Sequence, residues 1–437
     1  MLVLDTPSSL RLVDHPLRHD LADEAHARPF DPVSAPSQIS YIAFLNRNFT
    51  HEQEHWLLSQ LCTQFDATPP DPAQIHYSVD VGAMRIKWAR HSEFSSYTFT
   101  RHGWVPDPFA QPALSTVPSD WLQQLPGQVL VAAHAGMMSE RDLPHGMETI
   151  ANQFFAGNDL IGSEIGGGVG KVLTDFHIHP DGFSRYLLVD RSMGQRQAGR
   201  MLQRLFEIDT YRMMAFLALP LAKSISPELT QADRELSELT NAMTEARMAD
   251  EPLVLDRLTQ LAARIERALS MTDFRFSASH AYYDIVRRRI EELREVRIQG
   301  IQPFHEFMER RLRPAMDTCE SVAGRQRVLA ERVNRASALL RTRVDISRER
   351  QNQELLSSMD RRAHLQLRLQ ETVEGLSIAA ITYYGVALIG YVAKGLKAAG
   401  LSLNPEMVMA GSIPLVALGI YLTGRKLRRR LAAEIHR

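Results

Sequence analysis

Cysteine is nearly absent from this chain, with two in 437 residues, Cys62 and Cys319. Two thiols so far apart give no disulfide framework, and a reducing compartment is the simplest setting for them. An excess of one charge is missing as well. Lys and Arg number 50 against 51 Asp and Glu, for a formal net charge of −1. That balance removes the overall basic excess expected of a nucleic-acid-binding protein. The first eighteen residues, MLVLDTPSSLRLVDHPLR, lack a basic start followed by an apolar run, so no signal peptide is expected. A phosphate loop is lacking too. In GSEIGGGVGK (162–171), Ile165 stands where such a loop needs glycine, and Val172 follows Lys171 where it needs Ser or Thr. The run reads as a glycine hairpin between two strands. No complete catalytic constellation emerges, and the residues identify no cofactor.

What the chain does have is two long apolar segments near its end, 376–393 (LSIAAITYYGVALIGYVA) and 407–424 (MVMAGSIPLVALGIYLTG). Each holds about eighteen uncharged residues, or roughly 27 Å of helix, enough to cross a hydrocarbon core when the flanks snorkel. Arg361, Arg362 and Arg368 precede the first, and Arg425, Lys426, Arg428, Arg429 and Arg430 follow the second. The connecting loop carries Lys394 and Lys397 against Glu406. The positive-inside bias then puts both termini in the cytoplasm, and the basic tail (425–437) against anionic headgroups. With a mean hydropathy of −0.21, the rest of the chain reads as water-soluble.

The remainder divides by pattern. Residues 1–35 form a Pro-, His- and Arg-rich arm with Asp14, His15, Arg18, Glu24, His26 and Arg28, read as a short helix (17–26) paired to its host domain. Residues 36–192 alternate as mixed α/β. Strands are expected at 39–45, 75–81, 84–89, 96–101, 129–134, 160–165, 172–179 and 185–190, with helices at 51–65, around Trp121 and at 147–155. The 51–65 helix should turn Trp56, Leu57, Leu61 and Phe65 inward. Asp175, His177 and His179 would share one face of a strand at period two, which suits zinc or iron if further ligands come from His134, His145 or Asp181. The bland alternative is a polar sheet face.

From 193 the periodicity is helical. A first helix (195–219) ends at Pro220, with Glu207 paired to Arg204 one turn back and reaching Tyr211 one turn on, on a solvated or interdomain face. A helical hairpin (193–277) zips Leu229, Leu236 and Leu239 against Leu258, Leu261 and Ile265, turning at 250–252. Stalk helices occupy 278–375, broken at 300–303. The last helix should run unbroken from Pro314 to Ala393. Its seam, Val322, Leu329, Val333, Leu340 and Val344, resumes through Leu355, Met359, Leu369 and Val373. Asn352 and Gln366 sit in that seam as register-setting polar positions. So narrow a seam on so long a helix needs partners, and a homo-oligomer is expected. The fold class expected is therefore an α+β cytoplasmic domain, an all-α hairpin, a long stalk helix and a C-terminal two-helix transmembrane hairpin (376–424).

The segments DHPLR (14–18), EAHARPF (24–30), TDFHIHPDGFSR (174–185), QAGRMLQRLFEIDTYRMMAFLALP (197–220), LLRTRVDISRERQNQELL (339–356) and QLRLQETVEGLSIAAITYY (366–384) resemble bacterial membrane-anchored proteins grouped as domain-of-unknown-function family 3422. The resemblance implies the inner membrane of a bacterium and carries no activity with it. The order of elements is also similar, by fold-level analogy, to CorA magnesium channels. The Gly-Met-Asn signature of that family is missing here, and Lys394 and Lys397 would repel divalent cations. If the first span lined a conduit, it would present Ala379, Thr382, Val386 and Ile389. Three functions follow: a membrane-anchored oligomeric scaffold or sensor without chemistry of its own, a CorA-like conduit, and a membrane-tethered metalloenzyme. The lipid bilayer and a second copy of the chain are the partners expected, and nucleic acid is not.

Overall fold

The computed structural model describes residues 14–19, 21–22, 30–47, 49–125, 127–245, 250–399 and 404–435, with backbone alone for 425 and 427–435. Glu24, His26 and Arg28 of the arm, part of the loop between the apolar segments, and the arginine side chains of the tail lie outside the described residues. The chain separates into two compact units. One comprises Met1–Thr244 and Asp256–Ser337, the other Glu245–Leu255 and Ala338–Arg437.

The first unit is built on a nine-stranded sheet. Its strands are β1 (Ser37–Leu45), β2 (His76–Val81), β3 (Met84–Arg90), β4 (Phe94–His102), β5 (Gln128–Ser139), β6 (Ile161–Ile165), β7 (Gly170–Thr174), β8 (Ser184–Asp190) and β9 (Val296–Arg297). They lie in the order β2-β3-β4-β1-β5-β8-β7-β6-β9, antiparallel except for the parallel β5–β8 pair. A β2-β3-β4 meander joins one side of β1, and β5 joins the other. Period-two patterning made β1 to β8 legible. The two-residue β9, paired to β6, is too short to leave a periodic signal.

Helix α1 (His51–Gln64) starts at a capping box. Thr50 Oγ1 accepts from the Gln53 amide at 3.4 Å, and Gln53 Oε1 accepts from the Thr50 amide at 3.0 Å. Its buried arc is Glu54, Leu57, Leu58, Leu61 and Cys62. Trp56 was expected inside but is 56 % exposed; two residues past Glu54 it has turned roughly 200° round the helix. Beneath α1 lies a core of Trp88, Tyr97, Phe99 and Trp121, the last from α2 (Ser119–Gln124). A second core gathers Phe154 and Ile150 of α3 (Met147–Phe154) against Leu173, Leu187 and Val189.

The opposite face of the sheet carries α4 (Gln195–Phe216). Tyr41 of β1 stacks on Phe206 with ring centroids 4.5 Å apart and shares a 2.8 Å hydrogen bond with Thr210 Oγ1. Pro220 does not end this helix. The break falls at Leu217, and Pro220 sits in the first turn of α5 (Ala218–Glu245), where its missing N–H costs nothing. The next helix, α6 (Glu251–Leu293), meets α5 as the seam spacing required. Leu229, Leu236 and Leu239 are buried, as are Leu258, Leu261 and Ile265, and Arg264 pairs with Glu235. A buried Arg275–Glu93 ion pair ties α6 to the start of β4.

After β9 come α7 (Phe304–Arg311) and α8 (Arg313–Ala398). The long helix begins one residue before Pro314 and runs past Ala393. Within the first unit, Val322, Leu329 and Val333 of α8 are buried, and Thr272 of α6 donates to Gln326 Oε1 at 3.2 Å. In the second unit Leu340 and Val344 are buried, and Arg343 Nε lies 3.1 Å from Glu251 Oε1. From there α8 continues through exposed side chains to its apolar end, and α9 (Pro405–Ile435) follows.

Candidate functional site

Two helices, α8 and α9, are long and apolar enough to cross a membrane. Of their most apolar eighteen-residue windows, 17 % and 0 % respectively are buried within the protein. Leu376, Tyr383, Tyr391, Met407 and Leu415 are each more than 70 % exposed. Large contiguous exposed apolar patches are uncommon on monomeric soluble proteins and mark interaction or membrane surfaces. The two helices touch where one of them is bare. A β-carbon at Gly385 would stand 3.1 Å from Val416 Cγ1, and one at Gly390 2.4 Å from Met409 Sδ. Small residues at such positions permit close helix approach. Of the positions considered as pore-lining, Val386 is buried, Thr382 and Ile389 are half-buried, and Ala379 is exposed. Thr382 Oγ1 donates to the Ile378 carbonyl at 2.7 Å. Asn352 and Gln366 are both exposed on α8.

The 175–179 segment differs from its expected form. Strand β7 stops at Thr174, because Phe176 takes a φ of 52° that no strand accommodates. Asp175, His177 and His179 therefore do not share a strand face. Asp175 is buried, and its Oδ2 accepts from His179 Nε2 at 2.9 Å and from Asn158 Nδ2 at 2.8 Å. Its Oδ1 accepts from the His177 amide at 3.2 Å. The side chain of His177 is 67 % exposed. Among the described residues, no group of three or more His, Cys, Asp and Glu is placed to hold a metal ion. A carboxylate-held imidazole is the orienting half of a general-base pair, yet here the ring is itself buried and the carboxylate is shared with Asn158 and the His177 amide. The arrangement staples a turn. His134, one of the extra ligands considered, shares a 3.0 Å hydrogen bond with Ser40 Oγ and stacks on Phe183 at 3.9 Å. Burial pushes its pKa down to about 4. Asp181 accepts from the Phe183 amide at 3.0 Å.

A cavity of about 410 Å³ lies between α4 and the β3–β4 face of the sheet. Period two puts Ser96, Thr98 and Thr100 of β4 on this side, while Tyr97 and Phe99 enter the core below. From β3 comes Lys87, whose Nζ donates to Gln203 Oε1 at 3.3 Å. Gln203 Nε2 in turn donates to Glu207 Oε1 at 2.8 Å. Desolvation lowers the Lys87 pKa from its ordinary value. Glu207 pairs with Arg289 of α6, not with Arg204, which goes to Glu292 at 2.9 Å. The expected one-turn pair loses because the packed neighbouring helix offers both partners a closer geometry. Sequence reasoning missed this cavity. Its one signal was the polar side of β4, Ser96, Thr98 and Thr100, opposite an equally polar stretch of α4.

No curated protein and no solved structure matches this chain. A family model described as "Protein of unknown function (DUF3422)" matches residues 13–431. With nearly its whole length covered by that model, the chain belongs to the DUF3422 family.

Proposed function

We propose that this protein is a membrane-anchored, homo-oligomeric module that works as a scaffold or sensor at the cytoplasmic face of a bacterial inner membrane, without covalent chemistry of its own. The observation that carries the reading is the exposed apolar surface of α8 and α9, with 17 % and 0 % of their apolar windows buried. Burying such surface in hydrocarbon is favourable by about 25 cal/mol per Å², and a helix satisfies its own backbone there. The basic residues flanking 376–393 and 407–424 favour both termini on the cytoplasmic side. Self-association is supported by the α8 surface preceding the apolar end. Leu355, Met359, Leu369 and Val373 are 56–67 % exposed and recur at seam spacing.

Topology and particle mass test the two halves of the reading. A membrane-impermeant maleimide applied to intact cells should label a cysteine placed at Gly395 and spare one placed in the tail. Light scattering of the detergent-purified protein should give a closed multiple of the 49.4 kDa chain. A monomeric particle removes the oligomer, and labelling of the tail alone reverses the orientation.

A further inference from the structure

The surface of α8 ahead of its apolar end carries a charge at the centre of an otherwise uncharged face. Counted in sevens, Met359, Gln366 and Val373 recur at one core position of a coiled coil, and Leu355, Arg362 and Leu369 at the other. The flanking positions Leu356, Ser358, Ala363 and Leu365 are uncharged, where a two-chain coil often places Glu and Lys. Glu354, Asp360, Arg361, Arg368 and Glu371 fall outside this face. Three and four residues from Arg362, where a helical ion pair would form, stand Ser358, Met359, Leu365 and Gln366. Asp360 turns to His364 instead, at 3.5 Å. In the single chain Met359, Arg362, Leu365, Gln366 and Leu369 are all exposed.

We propose that in the oligomer the Arg362 side chains of neighbouring stalks converge on the bundle axis and bind an inorganic oxyanion, sulfate or phosphate, with Gln366 donating from the next turn. The inference rests on the homo-oligomer proposed above and names a ligand for it. Register comes from the membrane. Each copy of α8 enters the same bilayer at Leu376, so neighbouring stalks run parallel and level, and Arg362 of one meets Arg362 of the next. The uncharged flanks widen the face beyond the narrow seam that a single partner covers, which calls for three or more chains. Their guanidinium groups then share one layer between Met359 and Gln366, and no carboxylate of any copy faces that layer at these spacings. Like charges gathered in a packed layer without a counter-charge are costly. An oxyanion removes the repulsion and accepts paired N–H groups from each guanidinium fork. Chloride offers no such bidentate geometry. Lipid phosphate lies out of reach. Arg362 stands fourteen residues before Leu376, roughly 21 Å of helix, whereas a headgroup layer is about 5–8 Å deep. The anion therefore comes from solution.

Isothermal titration of the full chain in a neutral maltoside detergent tests the proposal, with sodium sulfate and sodium phosphate as probes at fixed ionic strength. Light scattering gives the particle mass of the same sample. Saturation at one oxyanion per particle is expected, not one per chain. Affinity should fall about ten- to a hundredfold in R362L, the range for losing a hydrogen bond to a charged group. The R362L particle should keep its mass, because leucine restores the apolar layer. R362Q should lose affinity likewise and carries the test if R362L aggregates. R361L, on the outer side of α8, should bind as the wild type does. An oligomer that binds neither oxyanion, that binds one per chain, or that binds equally well as R362L and R362Q overturns this inference and leaves the oligomer standing. A monomeric wild-type particle removes both.

Discussion

Gly199 of α4 and the Asp31 carbonyl meet backbone against backbone. A β-carbon at position 199 would stand 1.9 Å from that oxygen. The contact is seconded by the Val33 amide, which donates to the Gln195 carbonyl at 3.1 Å. An extended segment is thereby laid along the first turns of the helix that covers the sheet.

G199A should therefore displace the 31–33 segment, since neither side of the contact is a flexible side chain. Overpacking of this kind costs about 1–3 kcal/mol. The loss is read as a lower denaturant midpoint for the purified protein, with faster amide exchange at Val33.

Glu54 is the buried hub of another junction. Its carboxylate accepts from Trp88 Nε1 at 3.1 Å, from Ser95 Oγ at 2.8 and 2.9 Å, and from Arg90. E54L removes the acceptor and leaves the indole and the guanidinium behind, at a cost of about 3–5 kcal/mol for breaking a buried charged pair. E54Q keeps an acceptor and should cost less. Thermal unfolding of the two variants side by side checks the order.

Acid should weaken the fold through His134. Its folded pKa is pushed down to about 4, against about 6.5 in an unfolded chain. Above pH 6.5 both states are neutral and the group is silent. As pH falls from 6.5 towards 4, the unfolded chain takes up a proton that the folded ring refuses, and stability drops by on the order of 3 kcal/mol. Below pH 4 the drop levels off. The unfolding free energy of H134Q, measured over the same range, should lack this component.

The exposed seam of α8 predicts its own mutant. Placing lysine at Met359 and Leu369 together should reduce the particle mass seen by light scattering, because charge in a packed seam is expensive. The same substitutions on a solvated helix face would leave the mass unchanged and move stability by less than about 0.5 kcal/mol.

Long, regular features were legible in the sequence. The apolar segments, the α5–α6 seam and the unbroken run of α8 all rest on periodicities sustained over many residues, which local accidents do not erase. Short-range departures were not legible. His177 and His179 alternate with Asp175 as a strand would require, but one left-handed residue, Phe176 at φ 52°, ends β7 before the pattern applies. Trp56 belonged to no inward arc once Glu54 claimed the helix face for its buried bonds. Lys87, Thr98 and Thr100 carried no signal of their own, because polarity alone does not say whether a sheet face meets water or another polar element. The partner that decides it, α4, lies about a hundred residues away in sequence.

Alkaline carbonate extraction of cell membranes tests the central claim most directly, comparing the full chain with one ending at residue 375. The account predicts that the full chain stays in the sedimented bilayer while the shortened one is released to the supernatant. Recovery of the full chain in the supernatant would contradict it.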